Sequence, residues 1–432
     1  MNLNVLLEQY YEDDRIKKIA GDLELSQPNQ HYQFTNLYGG AFSIIATALW
    51  HLSTANHLFI LNDKEEAAYF HNDLEHLTKA LDICFFPDSY KKTGSFKELN
   101  SSHIMLRTEA LTKFSNQQAH KKALVTYPEA LFEKVVNPNV LLQHTIQINV
   151  GEELAVDALM ESFVGLGFKR EDFVYEPGQF AMRGGILDIY SFGNEHPYRI
   201  ELFGNEVESI RLFNPETQLS EKKLISVSIQ PNVETKFDTE EKISLLDFLP
   251  ANTIIWANDF EFVLARMEKF SQELPEKINK GTVAVDYEES VLKALTREDF
   301  EDTELWKQQL IQRKLIALSP KNKQELPSHT IAFDTAVQPV FNRQFDLLIS
   351  DLQQKIGQGY TPYIFAENPK QLERLRSIFE DLNAAIEFVA IPIPISQGFI
   401  DHDKKIIGYT DHQIFQRYHR YKVKQAYNKG KA

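Results

Sequence analysis

Apolar residues recur at two different spacings along the first third of the chain. From about Gly40 to Leu52 they fall at helical intervals, just after the turn-forming Tyr38-Gly39-Gly40, and a later helix carries Phe70, Leu74 and Leu77 on one face. Short apolar runs at His57–Leu61, Leu81–Phe86 and Ala123–Thr126 read as strands, with a further helix near Ile104–Phe114. Helices alternating with short apolar strands predict a parallel sheet covered on both faces over residues 1–147.

The pattern changes near residue 148. A helix over Leu154–Leu166 stops at Gly167, and four strands follow in close succession: Gln179–Arg183, Gly185–Tyr190, Tyr198–Phe203 and Glu206–Phe213. Gly204-Asn205 joins the last two as a two-residue hairpin, so residues 148–220 form a small α+β antiparallel module. Over 221–327 the chain returns to an α/β layer. Asp238-Thr239-Glu240-Glu241 has the spacing of a helix start, followed by strand Thr253–Trp256 and amphipathic helix Asp259–Phe270.

Residues 328–420 read as a second, smaller α/β unit. It runs through strand Thr330–Phe333, helix Gln344–Ile356, strand Thr361–Phe365, helix Pro369–Leu382 and strands Ile386–Ile391 and Lys405–Tyr409. Asn368-Pro369 supplies the start of its second helix. Residues 421–432 are a basic stretch, read as a solvated tail or the start of a linker.

Charge narrows the function. A net charge of −15 argues against nucleic acid as the partner of the bulk surface, because phosphate-backbone binding needs a positive field. The single cysteine, Cys84, excludes a disulfide framework and a cysteine-based zinc site, and points to a reducing, cytoplasmic setting. It lies inside an apolar strand, as a buried inert thiol would. The N-terminus lacks the order of a signal peptide, and no apolar stretch is long enough to span a bilayer.

Self-contained catalytic chemistry is not found. A phosphate loop needs glycine N–H groups, then Lys for the phosphates and Ser/Thr for magnesium. Gly39 and Gly40 stand in the right place, but Ala41 and Phe42 occupy the Lys and Thr positions, so the turn reads as a tight strand–helix connection. Val283-Ala284-Val285-Asp286-Tyr287-Glu288 only imitates the acidic strand end that would partner such a loop. Asp401-His402-Asp403 reads as a polar turn and not a metal site, and Asp13-Asp14 as part of a solvated, charged N-terminal helix. No nucleophile elbow occurs.

The module is acidic, and its few arginines cluster around the hairpins. Arg183 precedes Gly184-Gly185, and an arginine fork beside phenylalanine on a strand is the composition of an interaction hot spot. Balance against the module's own carboxylates explains the same arginines equally well.

The run Pro177-Gly178-Gln179-Phe180-Ala181-Met182-Arg183-Gly184-Gly185-Ile186-Leu187-Asp188-Ile189, continued by Arg199-Ile200-Glu201-Leu202-Phe203-Gly204-Asn205-Glu206-Val207-Glu208-Ser209-Ile210, resembles the UvrB-homology module of the bacterial transcription-repair coupling factor family. The resemblance implies an α/β multidomain architecture. A UvrB-like, RecA-like domain with a degenerate P-loop (1–147, completed by 221–327) would carry the inserted α+β antiparallel module, followed by the small α/β domain. Two departures from UvrB fit that family: the loop lost at Ala41 and Phe42, and no tyrosine-rich hairpin.

By the same resemblance the module binds UvrA, with Arg170, Arg183 and Lys169 at the interface and Phe180, Arg199 and Glu201 on neighbouring strands. Ala181 replaces an arginine of UvrB. ATP and magnesium are expected only in motor domains beyond this stretch, and RNA polymerase and DNA are engaged through such further domains, the sequence being read as an N-terminal fragment. Because the family masks its UvrA-binding face with a C-terminal domain, this stretch alone is expected to bind UvrA constitutively. Three roles stay open: a UvrA-recruiting adaptor without catalysis, a UvrB-type or helicase-type DNA-dependent ATPase, and inert scaffolding that holds a motor closed.

Overall fold

The computed structural model describes residues 2–25, 30–79, 83–92, 96, 99–115, 120–232, 242–280, 283–287, 291–318, 329–417, 419 and 421. Its largest layer is a seven-stranded sheet in the order His329–Ala332, His31–Thr35, Lys314–Ala317, Ile254–Ala257, His57–Ile60, Ala123–Thr126, Ile83–Phe85. Every neighbouring pair is parallel. Strands from before and after the antiparallel module interleave in this one sheet, so the first domain is split around an insertion. Its central strands are buried along their whole length, as a sheet covered on both faces requires.

Trp256 anchors the core. Its ring meets Phe34 edge-on at 5.7 Å and Phe59 at 5.2 Å, and its indole N–H donates to His57 Nδ1 at 3.0 Å. Helix Ala41–Leu52 leaves the end of strand His31–Thr35 through the glycine turn and is buried over nearly its full length. Lys121 caps its far end by donating to the carbonyls of Trp50, His51 and Ser53.

The inserted module is a six-stranded sheet in strict sequence order: Lys169–Arg170, Gln179–Arg183, Ile186–Ile189, Tyr198–Phe203, Glu206–Phe213, Ser220–Leu224. Phe180, Leu187, Ile189, Ile200 and Ile210 line one buried face, and Phe163 from helix Val156–Gly165 packs on it. A two-stranded stem joins Ile146–Asn149 antiparallel to Ser226–Ile229. The module therefore does not end at residue 220. Strand Ser220–Leu224 completes its sheet and the stem closes it near residue 229.

The small domain has five strands, ordered Thr335–Val337, Phe399–Asp401, Ile406–Thr410, Thr361–Phe365, Val389–Ile391. The boundary at 328 is also corrected. His329–Ala332 pairs in parallel with His31–Thr35 as the edge of the large sheet, and the small sheet begins only at Thr335. The stretch Val283–Tyr287 forms an antiparallel hairpin with Val291–Leu295, outside the large sheet. Asp238-Thr239-Glu240-Glu241 and residues 422–432 lie outside the described residues.

Two helices, Asn2–Tyr11 and Asp14–Glu24, bind the small domain to the first. Asp13, expected to be solvated, is buried. It caps the second helix through Arg15 N–H and pairs with Arg15 at 2.9 Å and Lys404 at 3.0 Å. Burial opposes its ionisation, yet these hydrogen bonds hold its carboxyl well below the ordinary range. Tyr10 donates to Asp401 at 2.9 Å and Arg15 to Asp403 at 2.8 Å, so the polar turn at 401–403 is a docking point. Among the described residues no cluster of His, Cys, Asp or Glu could hold a metal ion, and no helix is long and apolar enough to cross a membrane. Cys84 is buried.

Trp256→Ala should leave a cavity at the centre of the large sheet and cost about 3–5 kcal/mol, read as a lowered urea midpoint.

Candidate partner-binding surface

Alternation along the module's strands sends one set of side chains toward helix Val156–Gly165 and the other outward. Register places Ala181 opposite Asp188, Asp188 opposite Arg199, and Arg199 opposite Arg211. Arg183 and Glu201 flank Ile186 on the same outward face. This face is a ladder of charges with a buried carboxylate at its centre.

Asp188 has no exposed surface. Arg199 grips it with two hydrogen bonds, Nε to Oδ1 at 2.8 Å and Nη2 to Oδ2 at 2.9 Å, and Arg183 Nη2 adds a third at 2.7 Å. Arg199 also stacks over Phe213 at 4.3 Å and donates to the Gln218 carbonyl at 2.8 Å. Its hydrogen bond to Asp188 raises its pKa further above the ordinary value, against burial. Of the two explanations for these arginines, internal charge balance accounts for Arg199 and for part of Arg183.

The other expected contact residues are scattered. Phe180 is a core residue packed on Phe163 at 5.4 Å and presents nothing to a partner. Its place in the strand, one residue from Ala181, puts it on the helix-covered face. The Ala181 methyl is buried in a small cluster with Val174, Tyr190 and Phe213. Glu201 is half-buried, accepts from Ser209 at 2.8 Å and faces Arg211 at 3.9 Å. Lys169 and Arg170 form the outer edge strand, both exposed. Lys169 shares the charged face and pairs with Glu171 at 3.0 Å, whereas Arg170 is in register with Phe180 and belongs to the opposite face.

What remains available is a rim. Arg183, about one-third exposed, stacks over the exposed Phe173 at 4.4 Å. Lys169 and Arg170 border it on the edge strand, and Phe203 stands out at the hairpin tip. Sequence reasoning passed over Asp188, Phe173 and Arg211. The signal for Asp188 was available: two-residue alternation puts it on the face of Arg183 and Arg199.

Comparison with known proteins is consistent with this geometry. Residues 146–234 match the family model of the UvrB interaction domain, the same span as the sheet and its stem. The chain is 31% identical over 237 residues to a transcription-repair-coupling factor of Bacillus subtilis, covering 55% of this chain and 20% of that protein. It is 24% identical to one of Staphylococcus aureus, covering 91% of this chain and 40% of the relative. This chain is similar to the transcription-repair-coupling factors. It spans between one-fifth and two-fifths of the length of these relatives.

The glycine turn of the first domain does not fit a nucleotide. Ala41 and Phe42 offer no cation and no metal ligand, and the half-buried Phe42 stacks on Phe70 at 4.7 Å against the core. The neighbouring cavity, about 460 Å³ in volume, is lined by Glu66, Asp73, Tyr69 and His412 and, among the described residues, by no lysine or arginine. Asp73 is buried and accepts from Ser43 Oγ at 3.2 Å, Ser396 N at 2.8 Å and Ser396 Oγ at 2.6 Å. Burial outweighs these bonds and pushes its pKa up to about 7.

Removing Arg199 would leave the solvent-free Asp188 with two of its three guanidinium hydrogen bonds gone and only Arg183 beside it. Arg199→Ala should therefore cost about 3–5 kcal/mol in urea unfolding. A pH series should isolate Asp73. Its folded pKa lies above the unfolded one, so its carboxyl binds a proton on folding between about pH 4 and 7 and destabilises the fold as that proton leaves. The stability of wild type relative to Asp73→Asn should therefore decline from pH 5 to pH 8.

Proposed function

We propose that this chain is the adaptor of a transcription-repair-coupling factor: it recruits UvrA to stalled RNA polymerase for transcription-coupled nucleotide excision repair, and hydrolyses no nucleotide itself. The observation that carries this reading is the module matched to the UvrB interaction domain, with its charged face turned outward and its cationic edge strand exposed.

The contact chemistry is arginine pairing with carboxylates of the partner at a rim that loses water on binding. Arg170, Lys169 and Arg183 supply cations, and Phe173 supplies apolar area beneath the Arg183 guanidinium. Arg199 and Asp188 act from behind: they hold Arg183 in place and keep the strand face flat. A UvrB-type or helicase-type ATPase is disfavoured by the residues at the glycine turn, where Ala41 and Phe42 leave phosphate and magnesium without ligands.

Calorimetric titration with UvrA tests the reading. Wild type should bind. Arg170→Ala, at an exposed edge, should weaken binding by about 30-fold or more while leaving the unfolding midpoint in place. Arg183→Ala should weaken binding and also lower stability, because it uncovers Asp188. No binding by the wild type overturns the adaptor role. Binding that ignores both substitutions moves the contact surface elsewhere.

A further inference from the structure

The glycine turn that no longer holds phosphate is not empty space. Loop residues 395–399 of the small domain press directly on it. A Cβ placed on Gly40 would lie 2.2 Å from the Gln397 carbonyl oxygen, and one on Gly39 would lie 2.6 Å from that of Gly398. Gly39 is also left-handed, at φ +56°. The Gly40 N–H points to the Gly398 carbonyl at 3.4 Å.

We infer that this turn is a binding site for a peptide loop, that its ligand is the chain's own Ser396-Gln397-Gly398, and that the contact locks the small domain onto the first.

The physics is that of an anion site refilled with dipoles. Helix Ala41–Leu52 begins at Gly40 without a side-chain cap; the Ala41 and Phe42 N–H groups bond back to the carbonyls of Tyr38 and Gly39 at 3.3 Å each, and the Gly40 N–H ahead of them points to the loop. The Gly398 carbonyl that meets this N–H supplies the negative partial charge that phosphate oxygens supply elsewhere, and the Gln397 carbonyl packs where a Gly40 Cβ would stand. They need no counter-cation, which agrees with Ala41 and Phe42 at the positions that follow.

The loop arrives preformed. Gly398 N–H donates to Gln413 Oε1 at 2.7 Å, and His412 Nε2 donates to the Ser396 carbonyl at 2.8 Å. Gln338 fills the space beside Gly398, where a Cβ would lie 2.0 Å from its Oε1, and the same oxygen accepts from Thr410 N at 2.8 Å. A ligand held in its bound shape loses little conformational entropy on docking. Asp73 closes the latch from the first domain, gripping both the backbone and the hydroxyl of Ser396, with Ser43 as its third donor.

This proposal is independent of UvrA binding and is tested on the whole chain by hydrogen–deuterium exchange. Gly40→Ala must displace the loop, so amides of 395–401 and 36–43 should exchange at least 10-fold faster, with the module at 146–232 unchanged. Gly21→Ala, where a Cβ meets nothing within 4 Å, is the matched control and should change neither region. Should Gly40→Ala fail to fold, Asp73→Asn and Ser396→Ala replace it. Each should speed exchange of 395–401, and the double variant should add nothing to the larger single effect. Unchanged exchange at 395–401 in the folded variants overturns the proposal. So do additive effects, or acceleration spread evenly over the first domain.

Discussion

A helix that begins on two glycines must find an electronegative partner for its exposed N–H groups. In this chain its own turn serves Ala41 and Phe42, and the small domain serves the Gly40 N–H with the Gly398 carbonyl while Gln397 packs against the same glycine. Much of the architecture follows from that contact. The first domain keeps its parallel sheet and its helix pointing out of the sheet's end, but the glycine turn itself is covered by the loop of the small domain. Phe42 turns inward to stack on Phe70, and Asp73 is used to hold Ser396. A second set of bonds, from Tyr10 and Arg15 to Asp401 and Asp403, fixes the same two domains from the N-terminal helices. The scaffold is thereby closed on itself.

The module follows a different logic. Its sheet has one apolar face, on which helix Val156–Gly165 packs, and a second face that carries the charges around a small buried cluster of Val174, Ala181, Tyr190 and Phe213. A carboxylate without solvent is tolerated there only because three guanidinium hydrogen bonds surround it. That arrangement uses Arg199 completely and Arg183 in part, so the residues left for a partner lie at the rim and on the edge strand. The proposed recognition through a rim of cations would reconcile a strongly acidic chain with partner binding: a net charge of −15 opposes nucleic acid over the surface as a whole while a small patch offers positive charge.

Much of this was legible in the sequence. Strands Gln179–Arg183, Tyr198–Phe203 and Glu206–Phe213 fall where alternation puts them, and Asn368 caps the helix that Pro369 begins. Both misplaced boundaries involve strands whose partners are distant in sequence. His329–Ala332 pairs with a strand about 300 residues earlier, and Ser226–Ile229 with one about 80 earlier; local pattern carries no information about either. Asp13 illustrates the same limit. Two adjacent acids at a helix start read as solvated, until Lys404 arrives from the other end of the chain. At the site, alternation should have separated Phe180 from Arg183 in function, since odd and even positions of a strand face opposite ways. Resemblance grouped them because a motif is linear and a surface is not.

The central claim is that the module's rim meets UvrA while the glycine turn stays a closed structural contact. Hydrogen–deuterium exchange of the chain with and without UvrA measures both at once. The account predicts slowed exchange at Lys169–Arg183 and no change at residues 36–43. Absence of protection in the module, or protection confined to the glycine turn, would contradict it.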